Sequence, residues 1–175
     1  MKKIKNYRLG ILGGSFDPAH IGHIKISKIA KKKYSLKKII WAITKKNPFK
    51  KKPKINLKDR IKISKKITKK YHFIKVEYIE NKINSNKTID LINYFKKKRK
   101  YKEIYFIMGA DNLIKFHKWH KWNEISSKCN ILVFDRNRYK SKSLESIAFK
   151  KYNKKGLEFI NFKKINISSS QLRKI

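Results

Sequence analysis

Acidic residues are scarce in this chain: of 175 residues, 11 are Asp or Glu against 49 Lys or Arg, a formal net charge of +38. Cysteine is scarcer still. Cys129 stands alone, which excludes a disulfide scaffold and a multi-cysteine metal site and suits a reducing compartment. No apolar run approaches the ~18 residues that a membrane span needs. The opening MKKIKNYRLGILGGSF is basic, but its apolar stretch is too short for a signal peptide and runs straight into glycines. A soluble, cytoplasmic protein is expected. What is present suffices for a core: 40% of residues are hydrophobic and 13% aromatic. At ~150 residues per domain, residues 1–175 read as a single domain, and a domain of this size buries about 68–70% of its unfolded surface.

The charge invites a nucleic-acid reading, because lysines that neutralise phosphates release counterions and give sequence-independent affinity. Its distribution argues otherwise. Lysines run from Lys2 to Lys174 rather than along one stripe, and Lys, Asn and Ile are over-used together, as when coding sequence drifts toward adenine and thymine. A basic nucleic-acid-binding module stays as the rival from another class. The excess charge should still speed the approach of phosphorylated substrates in a salt-dependent way. Where acids are so few, Asp17 and Asp111, both inside glycine-containing motifs, draw attention.

Short β-rich runs alternate with longer amphipathic stretches. Strands are predicted at 9–12, 39–43, 73–78, 104–108, 131–134 and 157–162, and helices at 20–33, 57–70 and 88–99, with a last helix from about 168. The helix over 57–70 has its apolar positions at Ile61, Ile63 and Ile67. Residues 140–155 are the least readable. Strands alternating with helices imply an α/β fold with a doubly wound, mostly parallel sheet and helices on both faces. Ligands in such sheets sit beyond the C-terminal strand ends, so chemistry belongs in the segment after each strand.

After the first strand comes Gly13-Gly14-Ser15-Phe16-Asp17-Pro18-Ala19-His20-Ile21-Gly22-His23. Paired glycines let backbone approach a ligand with no Cβ in the way. His20 and His23, three apart at a helix start, project from one face. The helix N-terminus adds unpaired N–H groups and partial positive charge, an anion site. A zinc site is the weaker alternative, since the ligands are too few and no cysteine is near.

This segment resembles the His-x-Gly-His nucleotidyltransferases, which have a Rossmann-like fold, and most closely the nicotinate-nucleotide adenylyltransferase family, which joins nicotinate mononucleotide to the adenylyl part of ATP. Asn47-Pro48-Phe49-Lys50 is similar to that family's Asn-Pro-Leu-Lys loop, and Thr88-Ile89-Asp90 to its Tyr-Thr-x-Asp segment, with Lys87 in the tyrosine's place. Thr88 can equally be a helix N-cap. Gly109-Ala110-Asp111, Trp119, and Ile167-Ser168-Ser169-Ser170-Gln171-Leu172-Arg173 complete the pattern, with His120 where the family often has tyrosine. The chain stops two residues after Arg173, so it reads as a short-ended variant.

The resemblance implies catalytic roles for His20, His23 and Arg173. It implies ATP binding by Gly13, Gly14, Ser15, Phe16, His20, His23, Gly109, Asp111, Ser169, Ser170 and Arg173. It puts Asn47, Lys50, Thr88 and Trp119 at the mononucleotide. Mg²⁺ is expected with ATP, bridging phosphate oxygens, with no metal held by the protein itself. ATP and nicotinate mononucleotide are the expected partners, with nicotinate favoured over nicotinamide and no specific nucleic acid. A related transferase acting on another phosphorylated acceptor, such as phosphopantetheine, is the alternative nearest at hand.

Overall fold

The computed structural model describes residues 7–98, 101–136 and 138–161. Six strands form one sheet: β1 (Tyr7–Gly14), β2 (Lys38–Ile43), β3 (Ile74–Glu77), β4 (Tyr101–Gly109), β5 (Asn130–Phe134) and β6 (Leu157–Ile160). Their order is β3-β2-β1-β4-β5-β6, and every neighbouring pair is parallel. The order reverses between β1 and β4. A crevice opens there at the C-terminal strand ends, because the crossover helices leave in opposite directions.

All six strands fall where apolar runs predict them. Because successive side chains alternate across a strand, each inner strand feeds two cores. Leu9 and Ile11 of β1, Phe106 and Met108 of β4, and Ile131 and Val133 of β5 pack with α4 (Thr88–Lys97), α5 (Ala110–Phe116) and α6 (Trp122–Lys128). Leu12, Ile107, Leu132 and Phe134 face the opposite layer, with α1 (Ile21–Tyr34) and α2 (Leu57–Thr68). The helices thus cover both faces, as expected for strands buried on two sides. Three further helices, α3 (Glu80–Ile83), α7 (Lys140–Leu144) and α8 (Ile147–Tyr152), have six residues or fewer. They are too short to show a helical period in the sequence.

The α2 helix departs from its pattern. Its fully buried stripe is Arg60, Ser64 and Thr68, at i, i+4 and i+8, while Ile61 and Ile67 are only partly buried. Ser64 and Thr68 satisfy their hydroxyls on the carbonyls of Arg60 and Ser64, at 2.7 and 2.8 Å. Arg60 is explained by the loops it grips. The helix expected from about 168 lies outside the described residues.

Candidate active site

The loop after β1 turns sharply into α1. Phe16 is buried with φ 48°, and a cis Asp17–Pro18 bond follows. His20 is the N-cap of α1, in extended conformation, and its Nδ1 accepts from the Gly22 N–H at 3.0 Å. His23 reaches back, its Nδ1 accepting from the His20 N–H at 3.1 Å. This is a capping box built from two imidazoles instead of the usual Ser/Thr and Glu.

The consequence is chemical. Each Nδ1 is occupied as an acceptor, so each neutral ring carries its proton on Nε2, the nitrogen that remains to donate. Burial, then the charge of Arg136, lowers the His20 pKa from 6.5 to about 4. Burial, the His20 ring and Arg136 likewise drive that of His23 well below its ordinary value. Both rings are neutral donors at physiological pH. They lie 4.1 Å apart between centroids, and Phe16 supports His23 from 4.8 Å while stacking on Trp41 at 4.9 Å.

Across the switch point, β4 ends at Gly109, and α5 begins at Ala110 with no intervening loop. Asp111 in its first turn takes Lys50 Nζ at 2.6 Å and Arg136 Nη1 at 2.9 Å, both on Oδ2. Burial alone would raise the Asp111 pKa, but these two cations outweigh it and hold the carboxylate ionised. Its Oδ1 is buried with no hydrogen-bond partner among the described residues. A Cβ on Gly109 would lie 2.6 Å from that oxygen, so glycine is what lets the carboxylate stand there.

Beside this cluster is a cavity of about 380 Å³. Gly13, Gly14, Asn47, Phe49, Thr88, Leu91, Phe106 and Trp119 are among the residues that line it, with Lys87 and His120. Trp119 is half-buried, its ring edge-on to Phe106 at 6.0 Å and to Phe116 at 5.3 Å. Asn47 spends its side-chain oxygen on the Phe49 N–H at 2.9 Å, an Asx turn that shapes the loop. Thr88 is not the cap of α4: that position is Lys87, with no side-chain cap bond, and Thr88 lines the cavity instead.

The sequence-predicted residues therefore fall into two adjoining groups. His20, His23, Gly109, Asp111 and Lys50 gather at the switch point, while Gly13, Gly14, Asn47, Thr88 and Trp119 line the cavity. Ser15 lends its carbonyl to Arg60 at 2.6 Å, and Phe16 serves as the floor beneath His23. Ser169, Ser170 and Arg173 lie outside the described residues. Arg136 was missed, although it stands directly after β5, in one of the segments where the fold class locates chemistry. Arg60, too, was missed, as one cation among 49.

Known proteins are similar in sequence and shape. Residues 11–175 match the cytidylyltransferase-like family. A probable nicotinate-nucleotide adenylyltransferase of Pelagibacter ubique is 66% identical over 98% of this chain and 94% of its own length. One from Ruegeria sp. is 34% identical over 73% of this chain and 67% of its own. Among solved structures, Plasmodium falciparum nicotinic acid mononucleotide adenylyltransferase complexed with NaAD superposes with a TM-score of 0.75 at 22% identity, covering 97% of this chain and 83% of that one.

Proposed function

The chain belongs to the cytidylyltransferase-like family and, within it, to the nicotinate-nucleotide adenylyltransferases, and from that premise we propose how its cleft works. The reaction transfers the adenylyl group of ATP to nicotinate mononucleotide, giving deamido-NAD and pyrophosphate. A phosphate oxygen of the mononucleotide attacks the α-phosphorus of ATP. The new P–O bond forms as the bond from the α-phosphorus to the bridging oxygen breaks, and that electron pair leaves with pyrophosphate. A phosphate dianion is already nucleophilic, so the protein has to align two anions and stabilise the charge growing on the leaving group.

The observation that carries this reading is the pair of imidazoles, each with Nδ1 taken by a backbone N–H and Nε2–H without a partner among the described residues, at the mouth of a 14-residue helix beside an aromatic-walled cavity. On this reading His20 and His23 donate to ATP phosphate oxygens together with the α1 N-terminus. Arg136 supplies a neighbouring cation. Asp111 Oδ1, unpaired among the described residues, accepts a ribose hydroxyl of the adenosine. The cavity takes the mononucleotide, with Trp119 against the pyridine ring and Lys50 drawn from Asp111 toward its phosphate. Ser169, Ser170 and Arg173 are assigned to the β- and γ-phosphates on the sequence resemblance alone.

Mg²⁺ enters this scheme with ATP, neutralising phosphate charge. Among the described residues no three His, Cys, Asp or Glu side chains gather as ligands, and Asp111 already carries two cations. No helix among the described residues is long and apolar enough to cross a membrane, and the lone thiol, Cys129, is buried and free. A cytoplasmic site of action suits both.

Pyrophosphate release from ATP, measured with nicotinate mononucleotide, nicotinamide mononucleotide, phosphopantetheine or no acceptor, tests the proposal. Fastest release with nicotinate mononucleotide is expected. Release only with phosphopantetheine would make it a different transferase, and none with any acceptor would leave a binding module.

A further inference from the structure

Arg60 has no place in the chemistry above, yet it is one of the most deeply buried side chains, at 2% exposure. Its guanidinium donates to four backbone carbonyls. Nε reaches Ile55 at 3.0 Å, Nη1 reaches Ser15 at 2.6 Å and Thr44 at 2.8 Å, and Nη2 reaches Lys45 at 3.0 Å. These carbonyls come from both halves of the cleft. Ser15 belongs to the loop leading to the histidines, while Thr44, Lys45 and Ile55 are the two ends of the loop that carries Asn47 and Lys50.

Two carboxylates finish the joint. Asp17, from the histidine loop, crosses over to accept from the Lys54 and Ile55 N–H groups, both at 2.9 Å. Glu80 accepts from the Thr44 hydroxyl and from the Lys45 N–H, the latter at 3.2 Å. In a chain with 11 acids, two are spent here. A buried charge is costly unless paired and fully hydrogen-bonded, and a planar five-donor fork is what can hold carbonyls in several directions at once. Simple packing of α2 would have been served by an aliphatic residue.

We infer that Arg60, seconded by Asp17, is a positioning residue that fixes the distance between the ATP half and the acceptor half of the cleft. This rests on the transfer reaction proposed above. Each half can bind its own substrate without the joint, but the attacking oxygen and the α-phosphorus meet correctly only when both loops are tied to one guanidinium.

The test uses the full chain with Arg60→Lys, which keeps the charge but loses the fork, and Asp17→Asn, which leaves one of the two acceptors for the Lys54 and Ile55 N–H groups and removes the negative charge near Arg60. Steady-state kinetics in both substrates, thermal melting and amide hydrogen exchange over residues 44–55 are measured. For Arg60→Lys, kcat should fall on the order of 10²-fold, the cost of a misplacement near 1 Å, with both KM values changed less than about threefold. Asp17→Asn should show a smaller fall of the same kind. Exchange at Lys54 and Ile55 should quicken in both, while β1 and β4 stay protected. A purely structural role predicts lower melting temperature with kcat per folded molecule intact, and that result overturns the inference. So does unchanged exchange at residues 44–55. If Arg60→Lys does not fold, Asp17→Asn decides alone. If the wild-type chain makes no dinucleotide, the transfer reading itself fails and the positioning role falls with it, whereas an active wild type with unaltered variants sinks only the latter.

Discussion

The two halves of the cleft are built on opposite terms. On the ATP side, the reactive groups are oriented before a ligand arrives: His20 and His23 are locked in tautomer by backbone N–H groups, and Asp111 is held by Arg136. On the acceptor side there is an open space of about 380 Å³ lined by Trp119, Phe106 and Leu91, whose polar rim, Thr44, Asn47 and Glu80, is tied up in holding the loops. Groups that stabilise developing charge act best when already oriented, because no reorganisation is then required during the reaction. A flat ring needs only a shaped apolar slot and a few polar anchors. The ATP side should therefore show its mutational losses in turnover, and the acceptor side in substrate affinity.

The sharpest break would come from His20→Asn. Asparagine can cap α1 as histidine does, so the fold should survive, but the Nε2 donor is gone and kcat should drop roughly 10²–10³-fold. Pyrophosphate-release kinetics alongside thermal melting decide this, and near-normal turnover removes His20 from the chemistry. Next in size is Arg136→Ala. It should lower kcat about tenfold, in line with losing one charged contact to the developing charge, and leave the KM for the mononucleotide alone. Trp119→Ala should do the reverse, raising the mononucleotide KM several-fold. Should only the ATP KM rise, the ring sits on the wrong side of this comparison.

A gentler probe is pH. With His20 lowered to about 4, the fall in kcat/KM between pH 7 and 5 should follow the second ionisation of the substrate phosphate, at about 6, and the enzyme should add no histidine step near 6.5. Stability should move over that range. The unfolded chain takes up protons on these histidines near 6.5 and the folded chain does not, so stability declines as pH falls from 6.5 toward 4. Melting curves across that window should show the decline, and His20→Asn should blunt it. The smallest effect expected is of added salt on kcat/KM, a modest decrease as screening weakens steering by the +38 charge.

How much of this was readable beforehand depended on the kind of signal. The strands announced themselves as runs such as Ile39–Ile43 and Ile131–Phe134, and the His-x-Gly-His segment by its place after the first of them. Short α7 and α8 gave no period to detect. Arg60 shares a helical face with Ile63 and Ile67, three and seven residues on, but its residue type gave no sign of burial. In a chain with 49 cations a buried arginine looks like any exposed lysine. Arg136 could have been found by searching the residues after β5, as was done after β1 and β4.

Local order came from the sequence by itself. Apolar runs set the strands, amphipathic stretches the longer helices, and two histidines three apart met at a helix start, the first as its N-cap. Only the folded chain decided which lysine and arginine matter. Lys50 and Asp111 are 61 residues apart, Arg60 and Ser15 are 45, and they meet because β1 pairs with both β2 and β4. Propensity acts over a few neighbouring residues, whereas such pairings follow from how the sheet is threaded, and no periodicity along the chain records that.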